Sequence, residues 1–243
     1  MKNKVYIPHF ITVIFFATLL VVLTSWIGSI YEWPVQSLLS PEGLRWTLRH
    51  VDENLYQTPF ASIFILLIGM GLAYASGLFS ALQQHIRRIS LHKPLSRKQK
   101  RALLLALLSG IVYLLLVGIA TFSPLAILLG VTGTLDRSPF IDGIIPLISL
   151  AFGITGLVFG IASGQFCNDR DVIQGMGSLP VRFVHYFIYL LFASQFLGIL
   201  HYSQIDRCMG IGENGLRILY FFIYYLPLIG VFFYKNPEVH ASH

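Results

Sequence analysis

Residues 85–101, with the sequence HIRRISLHKPLSRKQKR, form a basic segment between two long apolar runs, 60–82 and 102–122. The segment holds seven Lys or Arg residues and no acidic residue. Each flanking run has about the 20 residues that an α-helix needs to cross a bilayer. Since Lys- and Arg-rich loops stay on the cytoplasmic side of a membrane, the pattern predicts two spans joined by a cytoplasmic loop. A nucleic-acid patch is the less favoured interpretation, and no nucleic-acid partner is expected.

Composition indicates a polytopic membrane protein. Hydrophobic residues make up 55% of the 243-residue chain and charged residues only 12%, whereas soluble domains carry roughly 25% charged residues. Six apolar runs are candidate spans, at residues 7–30, 60–82, 102–122, 144–165, 183–200 and 216–234. We therefore predict an all-α integral membrane protein that forms a single membrane domain over residues 1–243 and contacts the lipid bilayer.

The distribution of Lys and Arg predicts the orientation of the chain. Twelve of these residues fall in parts predicted to be cytoplasmic and five in outer parts, so both termini are expected in the cytoplasm. The first run has a signal peptide as its alternative interpretation, but it is too long for a signal-peptide core and lacks a clear A-x-A cleavage site. The apolar piece 125–133 is too short to cross, and we predict that it is re-entrant or caps the third span.

Residues 40–56 predict an amphipathic helix on the outer side. Ser40 followed by Pro41 and Glu42 is typical of a helix start, with a side-chain cap, proline in the first turn and an acid near the positive end of the helix dipole. Apolar residues then recur at helical spacing, at Leu44, Leu48, Val51 and Leu55. Such a helix lies on the membrane or on the protein's outer surface, and a plain solvated connection is the alternative.

Small residues recur at four-residue spacing in two predicted spans. Gly69 and Gly77 belong to the second span, and Gly156, Gly160 and Gly164 to the fourth. Because small residues let membrane helices approach closely, these glycines are predicted to pack helices, which is favoured over a direct functional role.

Asp169, Arg170 and Asp171 are predicted to form a cytoplasmic turn after the fourth span. A Gly-rich turn at 174–178 follows, and Pro180 is predicted to open the fifth span. The three charged residues have two interpretations, a gate or docking turn and a capped, salt-linked loop, of which the second is favoured.

Arg217, at the outer edge of the sixth run, is the single Asp, Glu, Lys or Arg within the six predicted spans, and this scarcity of charge argues against an ion-driven pump built from this chain alone. The strongest polar group well inside a span is Gln195, a weak candidate for substrate contact that more readily makes an interhelical hydrogen bond. No nucleophile–base pair, phosphate loop or metal-ligand spacing is present, so we expect no enzyme, no catalytic residue, no cofactor and no metal. Cys167 and Cys208 are predicted on opposite sides of the membrane.

Two stretches carry a resemblance to a known family. The first has Ser37-Leu38-Leu39-Ser40, Glu42-Gly43-Leu44-Arg45-Trp46, Asn54, Gly69-Met70-Gly71 and Ser76-Gly77-Leu78. The second has Ser138-Pro139-Phe140, Gly143-Ile144-Ile145-Pro146-Leu147-Ile148, Gly156, Gly160, Asn168-Asp169-Arg170-Asp171-Val172, Gly175-Met176 and Ala193-Ser194-Gln195-Phe196. They resemble, in the same order, stretches of the AbgT family, the p-aminobenzoyl-glutamate transporters.

The resemblance implies a multi-pass transporter of the bacterial inner membrane. It would move p-aminobenzoyl-glutamate, or a related small organic anion or antimetabolite, and would act as a homodimer. Family members are longer and carry two re-entrant hairpins that are expected to bind substrate and the coupling ion. No counterpart of these hairpins is recognisable, so the chain resembles a shortened, divergent member. The alternative is a non-transporting scaffold or accessory subunit that keeps the family's scaffold helices and partners a full-length relative.

Overall fold

The computed structural model describes residues 10–86, 96–122, 128–129 and 138–233, with side chains as far as residue 228. Within these residues the regular structure is entirely helical. The helices, in chain order, are α1 Phe10–Ile30, α2 Pro41–Arg49, α3 Val51–Tyr56, α4 Phe60–Ala75, α5 Leu78–Ile86, α6 Arg97–Phe122, α7 Pro139–Asp142, α8 Ile144–Ser163, α9 Asp169–Arg182, α10 Val184–Tyr202, α11 Ile205–Cys208 and α12 Glu213–Phe233.

The predicted all-α membrane class is confirmed. Among the described residues, four helices are long and apolar enough to cross a bilayer, namely α1, α6, α8 and α10, and the bent pair α4–α5 provides a fifth candidate. Helix α12 overlaps the predicted sixth span, but its side chains are described only to residue 228. The count of six and the placement of the termini stay predictions. Residues 87–95 of the basic segment lie outside the described residues, as does nearly all of 125–133.

The chain divides into two compact units, and the first comprises Met1–Phe60 and Phe183–His243. In it, α1 packs along α10. Val21 of α1 and Ile199 and Leu200 of α10 enclose Leu38, which lies in the connection between α1 and α2. The backbone N–H of Leu38 donates to the Ser25 hydroxyl of α1 at 3.3 Å. The connection is therefore fixed against the last turns of α1.

Helix α12 contains Pro227, which has no N–H to donate to the carbonyl of Ile223 four residues earlier. The Tyr189 hydroxyl of α10 donates to that carbonyl at 2.9 Å. The Tyr186 hydroxyl donates to the carbonyl of Tyr224 at 2.8 Å. Two tyrosines of α10 therefore satisfy the backbone where the proline interrupts α12.

The second unit comprises Ala61–Arg182. Glycines let its helices approach closely, as predicted for Gly69 and Gly156: a Cβ at Gly156 would lie 2.6 Å from the backbone nitrogen of Ala73 in α4, and one at Gly69 would collide with Ser149 of α8. The Ser149 hydroxyl in turn donates to the carbonyl of Ile65 in α4. Helix α4 is thus held against α8 by backbone proximity and by this interhelical hydrogen bond.

The other predicted packing glycines have different roles. Gly160 of α8 accommodates the ring of Phe166, which lies just beyond the end of the same helix, and so packs against a side chain rather than another helix. Gly77 and Gly164 lie outside the helices with φ of +78° and +79°, the left-handed region that glycine enters without steric cost. These two glycines end helices instead of packing them, and the four-residue spacing does not distinguish the two roles.

The predicted Gly-rich turn at 174–178 is also different, because it is helical and belongs to α9. Gly175 fits under the Phe166 ring and Leu72, and the Ser178 hydroxyl lies within hydrogen-bond distance of the Gly71 carbonyl at 3.1 Å. Pro180, predicted to open the fifth span, instead lies inside α9, and the span begins at Val184. Tertiary packing here overrides the low helix propensity of glycine and proline.

Candidate functional site: a polar pocket at a helix break

The predicted second span is broken after Ala75, and α4 and α5 differ in direction by 63°. Ser76, which is 1% exposed, stabilises both sides of the break. Its hydroxyl donates to the Ala73 carbonyl at 3.0 Å and accepts from the Leu78 N–H at 3.3 Å. Gly77 supplies the left-handed residue that turns the chain. This serine and this glycine belong to Ser76-Gly77-Leu78, one of the short stretches that carry the family resemblance.

A polar pocket of about 160 Å³ lies beside this break. It is bounded by α5, by the first turn of α6 and by the end of α8, and its polar lining consists of Ser76, Ser80, Gln84, Gln99, Ser163 and Gln165. Sites for drug-sized ligands usually measure about 300–1,000 Å³. The pocket therefore suits a few water molecules or one polar group of a small solute.

The end of α8 contributes to the pocket because of Gly164. The Gln165 N–H donates to the Gly160 carbonyl at 2.8 Å, and the Gly164 N–H donates to the Ile161 carbonyl at 3.1 Å. This is the Schellman pattern, with the left-handed glycine just after the helix. It places Ser163 and Gln165 beside the pocket.

The first turn of α6 brings positive charge next to the pocket. Ser96 and Gln99 form a reciprocal cap, with hydrogen bonds of 3.2 Å and 3.1 Å. The Lys98 ammonium lies against Gly164, where a Cβ would be 2.6 Å from Nζ. A cation at the C-terminal end of α8 interacts favourably with the helix dipole. The part of the basic segment that the structure describes thus contacts the region that holds the pocket.

The predicted turn residues Asp169, Arg170 and Asp171 form the first turn of α9. The Asp171 carboxylate accepts from the Cys167 N–H at 2.8 Å and from the Asn168 N–H at 3.1 Å. Such bonds satisfy backbone donors at a helix start. Asp171 thus caps α9, and within the described residues the structure shows no ion pair for the side chains of Asp169, Arg170 and Asp171. Their role as a gate stays a prediction.

Gln195 makes the interhelical hydrogen bonds that the sequence favoured. Its amide donates to the Val51 carbonyl at 2.9 Å, and its oxygen accepts from the Asn54 amide at 3.3 Å. Gly198 makes room for Asn54, since a Cβ there would collide with that side chain. Gln195 therefore fastens α3 to α10 in the first unit, and the polar pocket of the second unit does not include it.

The sequence analysis did not identify a buried acid, Asp206, which follows the predicted fifth span. Its side chain is 1% exposed. One oxygen accepts from the Arg207 N–H at 2.9 Å, and the other lies 3.2 Å from Nδ1 of His201. His201 and Asp206 are five residues apart and lie on opposite sides of the end of α10, so no helical spacing in the sequence predicts that they meet. The pair links the end of α10 to α11.

The arrangement offers hydrogen bonds rather than bond-breaking chemistry. Serine hydroxyls and glutamine amides both donate and accept, so the pocket can contact a polar group of either kind. Within the residues that the structure describes, no three His, Cys, Asp or Glu side chains are grouped to hold a metal ion. A discontinuous span beside a polar pocket is typical of membrane transporters, in which broken helices form the solute site.

The chain belongs to a transporter family. Residues 83–221, more than half of the chain, match the family described as the AbgT putative transporter family. The family expected from the resemblance is confirmed, and it is a family of transporters rather than of enzymes.

Similar proteins fall in the same family. The p-aminobenzoyl-glutamate transport protein of Escherichia coli (strain K12) is 32% identical over 80 residues, which cover 32% of this chain and 16% of that protein. The YdaH transporter of Alcanivorax borkumensis, reported to have an unusual topology, has a TM-score of 0.75 at 17% identity, over 84% of this chain and 72% of that one.

MtrF of Neisseria gonorrhoeae, reported to illuminate a class of antimetabolite efflux pumps, has a TM-score of 0.73 at 16% identity, over 94% of this chain and 77% of that one. These two likenesses show the fold. The absence of hairpin counterparts stays a prediction, since residues 123–127, 130–137 and 234–243 lie outside the described residues.

Proposed function

We propose that this protein moves p-aminobenzoyl-glutamate, or a related small organic anion or antimetabolite, across the bacterial inner membrane, and that the pocket at the α4–α5 break contacts the solute. The observation that carries the proposal is the break itself. A 63° bend in an apolar span places serine and glutamine side chains around a cavity. Family membership supplies the class of activity, and the 32% identity to the p-aminobenzoyl-glutamate transport protein supplies the candidate solute.

The pocket's surroundings favour an anion. Its polar lining is uncharged, and the adjacent first turn of α6 carries Arg97, Lys98, Lys100 and Arg101. Positive charge near a cleft raises the local concentration of anions and their rate of entry. The 160 Å³ volume suits a carboxylate or amide group rather than the whole molecule. The remainder of the solute would lie outside this pocket, in a path that a second copy of the chain or a full-length relative helps to enclose.

The test is uptake of labelled p-aminobenzoyl-glutamate into liposomes that contain only the purified protein, with and without a proton gradient. Ser80→Phe fills the pocket from an exposed position on α5, and Gln83→Phe places the same ring on α5 at a residue that does not line the pocket. We expect saturable uptake by the parent protein and by Gln83→Phe. The Ser80→Phe protein should lose most of it.

Equal uptake by the two variants would remove the pocket from the solute path but leave transport itself intact. If the folded parent protein shows no uptake above empty liposomes, the transport proposal fails. That outcome favours the accessory-subunit interpretation, and copurification with a full-length relative would then be the next measurement. Circular dichroism and gel filtration of each variant separate a loss of folding from a loss of flux.

A further inference from the structure

Helices α2 and α3 leave an apolar face uncovered. Leu44, Leu48 and Val51 lie on this face, with exposures of 53%, 80% and 40%. Tyr56 at the end of α3 is 86% exposed. Burying a Leu side chain is favourable by about 1.5–3 kcal/mol, so a row of such side chains marks a contact surface rather than a solvated connection.

The two helices are held firmly by their other faces. The Trp46 ring stacks on Tyr202 of α10 at a centroid distance of 4.4 Å. Asn54 is buried and bonded to Gln195 of the same helix. Gly43 lies against the Ser37–Leu38 backbone, where a Cβ would be 2.6 Å from the Ser37 carbonyl oxygen. Because these anchors fix the rotation of α2 and α3, the exposure of the leucine face is not a consequence of loose docking.

The position of α2 and α3 identifies what covers this face. They follow α1, which exposes apolar side chains along its length, through the connection 31–40, in which Tyr31 and Trp33 are exposed. Aromatic residues of this kind concentrate at the membrane–water interface. The leucine face therefore follows, in the chain and in the same compact unit, a helix that exposes apolar side chains as a membrane span does.

The two arginines of α2 fit the same occupant. Arg45 and Arg49 follow Leu44 and Leu48 by one residue each, roughly 100° further around the helix. Both arginines are exposed, and neither forms an ion pair with the described residues. A leucine face with arginines along one side is typical of a helix that lies in the interface, where apolar side chains reach the acyl boundary and cations reach lipid phosphates.

We infer that α2 and α3 form an interfacial helix pair whose face of Leu44, Leu48 and Val51 inserts into the outer leaflet, with Arg45 and Arg49 at the level of the lipid phosphates. The occupant is the bilayer rather than a second copy of the chain. Since Trp46, Asn54 and Gln195 tie this pair to α10, the lipid surface holds α10 at a fixed depth. The inference does not depend on the proposed solute.

The test uses the full chain in dilute proteoliposomes. Cys167 and Cys208 are changed to serine, and a single cysteine at Leu48 carries a nitroxide. Three further single-cysteine variants carry the same nitroxide. Labels at Arg49, the residue after Leu48, and at Asp52 report on the polar side of the helix pair, and a label at Leu44 gives a second measurement on the apolar face. Collision rates with oxygen, which concentrates in the bilayer, are compared with those of a water-soluble nickel chelate.

We expect the oxygen-to-nickel ratio at Leu48 and Leu44 to be several-fold higher than at Arg49 and Asp52, and independent of the protein-to-lipid ratio. Equal ratios at the four positions would mean a solvated connection and would overturn the inference. Protection from both reagents would also overturn it. If that protection falls on dilution and is accompanied by spin–spin broadening, a second copy covers the face; otherwise the protein's own residues cover it.

Discussion

The hydrogen bonds at the interrupted turn of α12 give a quantitative test of how α10 and α12 are joined. In the Tyr189→Phe protein the Ile223 carbonyl loses its donor, because Pro227 offers no N–H to replace it. An unsatisfied buried carbonyl costs about 1–3 kcal/mol in soluble proteins. Interhelical hydrogen bonds in membranes average about 0.6 kcal/mol and reach about 1.7 kcal/mol. We therefore expect a loss of about 1–1.5 kcal/mol.

The proline makes the prediction specific. In a Pro227→Ala background, the N–H of residue 227 can donate to the Ile223 carbonyl as in an ordinary helix turn. Tyr189→Phe should then cost much less, so that the two changes couple by about 1 kcal/mol. The assay is a double-mutant cycle in which unfolding of the four proteins is measured in mixed micelles of mild detergent and SDS.

The control is Tyr225→Phe, because the Tyr225 hydroxyl makes no hydrogen bond with the described residues although its ring lies on α12 against Phe221. This change should alter stability by less than about 0.5 kcal/mol. Additivity of Tyr189→Phe and Pro227→Ala to within roughly 0.3–0.5 kcal/mol would refute the reasoning, because the carbonyl would then not depend on the tyrosine for a donor.

Three further predictions concern the second unit and the topology. Gly156→Ala should destabilise the protein by about 1–3 kcal/mol, because the added methyl group meets the backbone of α4. The control is Gly118→Ala, which should be neutral or stabilising because nothing lies within 4 Å of the added methyl group. Equal unfolding midpoints for the two variants would contradict the close packing at Gly156. Asp171→Ala should cost about 1 kcal/mol through loss of the α9 cap, measured by thermal unfolding, and an unchanged midpoint would contradict the capping role. An impermeant maleimide added to intact cells should label Cys208 but not Cys167, both of which are exposed; the reverse pattern would overturn the predicted orientation.

The sequence predicted those features that depend on composition and local chemistry. Hydropathy located the four long apolar helices and the bent pair α4–α5, because crossing a bilayer requires about 20 apolar residues whatever their packing. The start of α2 was predicted correctly, and Ser40 accepts from the Gly43 N–H at 3.0 Å. These signals are local, and neither depends on distant parts of the chain.

The features that were predicted wrongly, or missed, depend on tertiary structure. A hydropathy plot is the same for a straight span and for one bent by 63°, so the break at Gly77 was invisible in it. The glycines of α9 suggested a turn, but Gly175 fits beneath Phe166. Asp206 looked like a solvated loop residue because nothing in the sequence shows that His201 approaches it.

The polar pocket illustrates why a site of this kind has no motif of its own. Two helix ends, after Ala75 and after Ser163, lie on its border, and each is turned by a left-handed glycine. A helix end leaves backbone groups without intrahelical partners, and nearby side chains such as Ser76 then supply hydrogen bonds. Three of the six polar residues that line the pocket, Ser76, Ser163 and Gln165, lie at these two breaks, so half of its polar lining follows from the breaks and none of it from charged residues. The glycines that were predicted to pack helices thus include Gly77 and Gly164, which end the two helices beside the pocket. Their four-residue spacing is the same as that of the packing glycines, and the positive φ of Gly77 and Gly164 distinguishes the two roles.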